Sequence, residues 1–325
     1  MTNLGLLYYN GYGVGQDYAK AREWFQKAAD KDDASGMRSL GMLYENGNGV
    51  PQDYAKAREF YQKAADKDDA TGMRALGLLY ANGQGVAQDY AKAREWYEKA
   101  ADKGEAGAMT NLGFLYENGH GVAQDYAKAR EWYQRAVDKG EATAMSNLGV
   151  LYENGQGVAQ DYDKAREWYE KAIDKGDAAG MRALGVLYEN GHGAPRDYAE
   201  ARKWYEKAAE KGDAGAMTNL GVLYRDGRGV AQDYAKARQW YEKAADNGDD
   251  AGAIRNLGAL YENGQGVAQD YAKAREWYEK AADKGEAGAM RNLGLLYANG
   301  QGVAQDDAKA REWYEKAADK ATRAP

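Results

Sequence analysis

The dipeptide Leu-Gly recurs at Leu4, Leu40, Leu76, Leu112, Leu148, Leu184, Leu220, Leu257 and Leu293. The step is 36 residues, except for one of 37 between Leu220 and Leu257. The surplus residue is Asp249 or Asp250, in "NGDDAGAI". A period of this length marks a solenoid: one unit is too small to bury its own apolar face, so it stacks on the next. This overrides the two globular domains that 325 residues would otherwise suggest. The expectation is one all-α repeat domain, 1–325, of nine units. They run roughly 1–33, 34–69, 70–105, 106–141, 142–177, 178–213, 214–250, 251–286 and 287–320, with a tail at 321–325.

Each unit reads as helix-turn-helix. The first helix is expected over "AGAMTNLGFLYEN", Ala106 to Asn118. At about 100° per residue, Met109, Leu112 and Tyr116 share one stripe, which must meet a partner helix. Gly113 lies at the edge of that stripe. A glycine in a helix interior costs about 1 kcal/mol against alanine, so its presence in all nine units points to a close helix approach. "ENGHGVAQD" supplies turn chemistry, with Asn-Gly as a left-handed cap. Asp125 then caps the second helix, "YAKAREWYQRAVDK". Tyr126, Ala129, Trp132, Tyr133, Ala136 and Val137 gather on one side of it, and the charges on the other. Glu131 and Arg135 are placed to pair across one turn. Gly140 closes the helix, and Glu141 opens the next.

The aromatic residues fit this frame. Of 27 tyrosines, only Tyr9 and Tyr12 fall outside three repeat columns. All eight tryptophans share one column, and Phe114 is the single phenylalanine outside the aromatic columns. The aromatics are therefore expected to be core, with Trp168→Ala costing about 3–5 kcal/mol. Few remain to stack on a base, a flavin or a glycan.

These columns resemble a known pattern. "A…LG.LY..G.GV..D..KA..WY.KAA..G" is similar to the Sel-one-like repeat, a relative of the tetratricopeptide repeat, across essentially residues 1–320. The resemblance implies a right-handed αα-superhelix whose first helices line a concave face. It also implies a role as adaptor or scaffold in protein complexes, in bacteria and eukaryotes, with bacterial members in signalling, envelope functions or host interaction. A cysteine-rich branch resembles penicillin binders. This chain has no cysteine, which sets that branch aside along with thiolate catalysis and disulfides.

Reaction chemistry finds little footing. The only histidines, His120 and His192, share a turn column with Asn48, Gln84 and Arg228, and are expected at a solvated tip. No serine sits in a Ser-x-x-Lys or Gly-x-Ser-x-Gly setting. The glycine-rich turns lack the Lys-Ser/Thr of a phosphate loop, and Val and Ala interrupt any calcium-loop spacing. No catalytic residue, metal or cofactor is expected. The net charge of -7 offers no basic stripe for nucleic acid. No apolar run is long enough to insert in a membrane.

The nine units form an alignment within one chain, and the columns that vary lie opposite the Met109–Leu112–Tyr116 stripe. The matching spacing in tetratricopeptide-type helices implies that this face meets the ligand. One row is apolar: Leu6, Met42, Leu78, Phe114, Val150, Val186, Val222, Ala259 and Leu295. Beside it run Arg38, Arg74, Arg182, Arg255 and Arg291, alternating with Thr110 and Ser146. An acidic row follows, Glu45, Glu117, Glu153, Glu189 and Glu262, interrupted by Ala81 and Arg225. Asn111, Asn147, Asn219, Asn256 and Asn292 stand on the other flank. An apolar floor with amides and arginines suits an extended peptide: amides for its backbone, arginines for a carboxylate. The competing reading is a surface covered by neighbouring repeats. Reversing Arg74 and Arg182 to glutamate is expected to abolish binding and leave melting unchanged.

The function expected from sequence is thus a non-catalytic interaction scaffold for a protein or peptide partner. The alternatives are an envelope protein contacting glycan or peptidoglycan, and a ligand-free self-associating or designed array. The first helix begins partway through its unit without a polar cap, which admits self-association there. "MTNLGLLYYNGYG" lacks signal-peptide character. The location expected is cytoplasmic as given, and periplasmic or secreted for a trimmed fragment.

Overall fold

The structure is a computed structural model and describes residues 1–248 and 250–323. Its described residues form eighteen helices and no strand. They gather into two compact units, Met1–Asp161 and Tyr162–Pro325. The first holds α1 (Thr2–Asn10), α2 (Tyr18–Ala29), α3 (Ala34–Asn46), α4 (Tyr54–Asp66), α5 (Ala70–Asn82), α6 (Tyr90–Asp102), α7 (Ala106–Asn118), α8 (Tyr126–Val137) and α9 (Ala142–Asn154). The second holds α10 (Tyr162–Asp174), α11 (Ala178–Asn190), α12 (Tyr198–Glu210), α13 (Ala214–Asp226), α14 (Tyr234–Gly248), α15 (Ala251–Asn263), α16 (Tyr271–Asp283), α17 (Ala287–Asn299) and α18 (Asp307–Arg323). This is an all-α repeat solenoid of nine helix pairs, as the period requires.

The close approach expected at Gly113 is real, and its cause is a tyrosine. A methyl group added to Gly113 would stand 2.4 Å from a ring carbon of Tyr133. The same contact recurs as Gly41 on Tyr61, Gly77 on Tyr97, Gly185 on Tyr205, Gly221 on Tyr241 and Gly258 on Tyr278. Each of these helix pairs is thus closed by one aromatic ring packed against bare backbone. Alanines line the inner side of the second helices: Ala129 and Ala136 are fully buried, as are Leu112 and Leu115 opposite them.

The turn between paired helices follows the sequence reading. Gly119 adopts φ 69° and its N–H donates to the Leu115 carbonyl. Gly121 adopts φ 67°, and a side chain there would meet the backbone of Tyr90 in the preceding repeat at 2.8 Å. Asp125 Oδ1 accepts from the Lys128 N–H at 3.0 Å, as a helix cap should. Asp250 caps α15 through the Ala253 N–H. The surplus residue is absorbed upstream of it, in α14, which has 15 residues where α12 and α16 have 13. Asp249 lies outside the described residues, as do Ala324 and Pro325 of the tail. Up to Arg323 the tail continues α18 as helix.

Two expectations about side chains are corrected. The tryptophan column is half-buried, and only the tyrosine column beside it is core. The indole rings are covered by cations one turn on: Lys171 Nζ lies 4.0 Å over Trp168, and Lys207 Nζ 3.9 Å over Trp204. Truncating Trp168 therefore removes less buried surface than the sequence reading assumed. Arg135 likewise lies 4.0 Å over Trp132 and pairs there, not with Glu131. The favoured ion pairs on second helices run from Arg to Glu four residues later, as in Arg94–Glu98 at 3.4 Å.

Candidate functional site

The varying face of the first helices is built in four rows. The apolar row is not closed over by neighbours. Met42, Leu78, Val150, Val186 and Val222 are half-buried, and Phe114 is 51% exposed. Val186 and Val222 rest on the tyrosine-leucine core with their inner sides. Those two are thus anchored below, and the whole row is at least partly open to solvent.

The arginines are already engaged. Arg38 Nε lies 3.1 Å from Asp69, Arg74 3.0 Å from Glu105, Arg182 3.0 Å from Asp213, and Arg255 3.8 Å from Glu286. Each acid is the N-cap of the next first helix. Thr218 makes the same link to Asp250 at 3.1 Å. This row therefore latches one repeat to the next, with the arginine neutralised by a half-buried carboxylate. The spacing of 31 residues to an acid was visible in sequence but is read only once the helices are stacked. Reversing Arg74 and Arg182 would set two carboxylates together at each latch, so it would not leave melting unchanged. Arg291 is exposed, and lines a cleft of about 450 Å³ with Arg255, Glu286 and Tyr314.

The asparagines sit over the core tyrosines of the preceding repeat. Asn111, Asn147 and Asn219 stand beside the hydroxyls of Tyr97, Tyr133 and Tyr205. Asn256 is only 8% exposed, so the structure buries a residue that sequence placed on the surface. Thr110 is also buried and donates to the Ala106 carbonyl.

The acidic row is the layer whose role the sequence concealed. Tyr133 donates from its hydroxyl to Glu117 Oε2 at 2.5 Å, and Tyr205 to Glu189 at 2.7 Å. Tyr61 donates to Glu45, and Tyr278 to Glu262 at 2.5 Å, in the same way. Burial pushes all these phenols well above their ordinary value, and the neighbouring carboxylates push them further. Burial also holds the Glu117 carboxyl above the usual carboxylate range, against the opposing pull of the Tyr133 hydrogen bond. The signal in sequence was a Glu-to-Tyr spacing of 16, which pairs across the turn.

The histidines are not free in solvent. His120 stacks on Tyr90 of the preceding repeat with centroids 4.7 Å apart and planes at 10°, and His192 stacks on Tyr162 at 4.3 Å. Phe114 closes on His120 at 5.9 Å. The Phe114 and His120 rings, tilted 50° to each other, thus stand within one helical turn of Glu117 in the chain. No group of three or more metal-ligating side chains occurs among the described residues, and no described helix is long and apolar enough to cross a membrane.

The Sel1 repeat model matches residues 1–33, 34–69, 70–105, 106–141, 142–177, 178–213, 214–249, 251–286 and 287–321. No curated protein matches the chain. Among solved structures it is similar to c5321, a protective antigen present in uropathogenic Escherichia coli strains with an SLR fold. The two are 38% identical over 98% of this chain and 68% of that one, with TM-score 0.57. A Sel1 repeat protein from Oxalobacter formigenes is 34% identical over 76% of this chain and 99% of its own, with TM-score 0.63. Yeast Tom70, 16% identical over 88% of this chain and 60% of its own, shares the fold alone, with TM-score 0.56. With nine matched units and a 38% identical relative spanning nearly all of it, the chain belongs to the Sel1 repeat family.

Proposed function

We propose that this chain is a non-catalytic scaffold that holds a protein or an extended peptide along the exposed face of its first helices. Sel1 repeat proteins are generally protein-interaction scaffolds, and the solenoid is typically non-catalytic. The observation that carries the reading is the apolar row. Its side chains are left at least partly open to solvent, with Val186 and Val222 seated on the core, and vary from Phe114 to Ala259 while the underlying brick stays constant. A row serving only the fold would be covered. Residues beside it supply amide and carboxylate groups at about one repeat spacing, which suits a chain lying across the units.

The test is affinity capture by the intact chain against a variant carrying Phe114→Lys and Val186→Lys. Partners recovered by the natural chain and lost by the variant, with helical circular dichroism unchanged, support the reading. An identical recovered set with both chains overturns it. Self-association is the competing use of exposed apolar side chains, because Leu7 is 41% and Tyr12 68% exposed in the first unit. Sedimentation over a concentration series decides it: a single species throughout removes self-association.

A further inference from the structure

We infer that the surface around Glu117 and Phe114 binds a lysine or arginine side chain carried by a peptide next to an apolar residue. The inference rests on the scaffold reading and names the chemistry of the occupant.

The chain makes such a contact with itself. In the second unit, Arg228 reaches back one repeat. Its guanidinium lies 3.4 Å from Glu189 Oε1 and 6.0 Å over the ring of Tyr198, and 3.2 Å from Asp226 of its own repeat. Glu189 meanwhile accepts the Tyr205 hydroxyl on its other oxygen, Oε2. A half-buried carboxylate, oriented by a buried phenol and flanked by a tyrosine face, is thus a cradle for a cation.

The first unit repeats the carboxylate, phenol and tyrosine face of this cradle without its cation, with Asn154 in the place of Asp226. Glu117 Oε2 accepts the Tyr133 hydroxyl. The column that holds Arg228 holds Gln156 here, and Gln156 Nε2 donates to the Tyr126 hydroxyl at 3.2 Å. No ion pair reaches Glu117 from any described residue. Arg74 is engaged with Glu105 at the far end of α7, twelve residues or about 18 Å along the helix. The carboxylate is half-buried, with the Tyr133 hydrogen bond and no countercharge, a state that a partner's cation relieves. Burial accordingly holds it above the usual carboxylate range.

The neighbouring residue says what should accompany the charge. Phe114 is one helical turn before Glu117, is the only aromatic in the apolar row, and is 51% exposed. With His120 at 5.9 Å it makes an aromatic ledge within one turn of the carboxylate in the chain. A lysine or arginine stem would lie along that ledge, and an adjacent apolar side chain would cover the Phe114 ring. The arrangement also turns from the expectation that arginines of this face hold a carboxylate, because Arg38, Arg74, Arg182 and Arg255 are latched.

The test is selection of a displayed library of random 12-residue peptides on the intact chain, followed by anisotropy titration of labelled winners. The expected winners carry Lys or Arg beside Leu, Ile or Phe. Glu117→Gln, which still accepts from Tyr133, should weaken them about tenfold. Gln156→Arg should weaken them as much, by filling the cradle as Arg228 fills its own. Arg already stands in that column, so the fold tolerates it. Acidic winners, or winners indifferent to both substitutions, overturn the inference and leave the scaffold reading standing. No enrichment of any peptide counts against both.

Discussion

Helices α7 and α13 differ at three positions. "AGAMTNLGFLYEN" and "AGAMTNLGVLYRD" exchange Phe114 for Val222, Glu117 for Arg225 and Asn118 for Asp226. Their bricks are the same: a methyl on Gly113 would meet Tyr133 at 2.4 Å, and one on Gly221 would meet Tyr241 at 2.3 Å. Their surfaces are opposite in charge. Tyr133 donates to Glu117, whereas Arg225 folds onto Asp226 at 2.7 Å and the buried Tyr241 hydroxyl has no hydrogen-bond partner among the described residues. The fold thus fixes glycine, leucine, alanine and the core tyrosine, and leaves the wall free to change sign. A wall that can change sign without disturbing the brick is available for recognition.

The largest effect that probes this division is alkaline unfolding. An unfolded tyrosine ionises near 10, and burial raises the folded value at Tyr61, Tyr97, Tyr133, Tyr205, Tyr241 and Tyr278. A raised folded value means stability is intact below pH 10 and is lost as pH rises above it. Three such tyrosines in each compact unit give a limiting slope of about 4 kcal/mol per pH unit. Denaturant melts between pH 9 and 12 should show a steep fall, while a flat profile to pH 12 would show that the phenols are not core. The two rungs should separate within that window. Arg225 offsets the burial of Tyr241, which is pushed up only to about 12, whereas Tyr133 lies higher. Ultraviolet titration of Tyr133→Phe and Tyr241→Phe should assign the first core phenol to ionise to Tyr241.

Gly113→Ala and Gly221→Ala come next. In an ordinary helix interior this change gains about 1 kcal/mol. Here the new methyl would overlap a buried ring, and overpacking costs about 3 kcal/mol, so each variant should lose about 2 kcal/mol in urea melts. Equal losses support a brick independent of its wall. A loss at one rung only would mean that the wall charge shapes the packing.

Much of this was legible in the chain alone, for a physical reason. Period, glycine spacing and capping residues act within about ten residues, so Ala106–Asn118 and the Asp125 cap follow from local rules. The fate of the wall was not legible, because it depends on contacts a full repeat away. The Arg74 latch needs Glu105, 31 residues on, and the Arg228 cradle needs Glu189, 39 residues back. A helical wheel shows which residues share a face but not which of them the next unit neutralises. Trp168 misled for a related reason: its column is aromatic throughout, yet the ring is only half-buried and carries the Lys171 ammonium 4.0 Å over one face.

Hydroxyl deletion separates the rungs more finely. Tyr133→Phe strands a half-buried Glu117 without its donor and should cost about 1–2 kcal/mol. Tyr241→Phe removes a hydroxyl that has no partner and should be neutral to within about 0.5 kcal/mol, or slightly stabilising. Parallel melts at pH 7 check the pair. Equal costs would mean that Tyr241 has an acceptor after all, and the contrast between the two walls would shrink to charge alone.

The smallest and sharpest case is Arg225→Glu, which rebuilds in α13 the residue that α7 carries. Tyr241 would gain the acceptor that Tyr133 has, worth about 1 kcal/mol. Asp226 would lose the pair at 2.7 Å but keep Arg228 at 3.2 Å, so the exchange should leave a small net gain in stability. It should also lift the Tyr241 phenol above its present value of about 12, since a nearby cation is replaced by an anion. Both readings come from one protein: urea melts for the first and the 295 nm titration for the second. A gain in stability with a raised phenol would mean that evolution of this surface set aside an available stabilising contact. A loss would instead tie Arg225 to the fold and return that position to the brick.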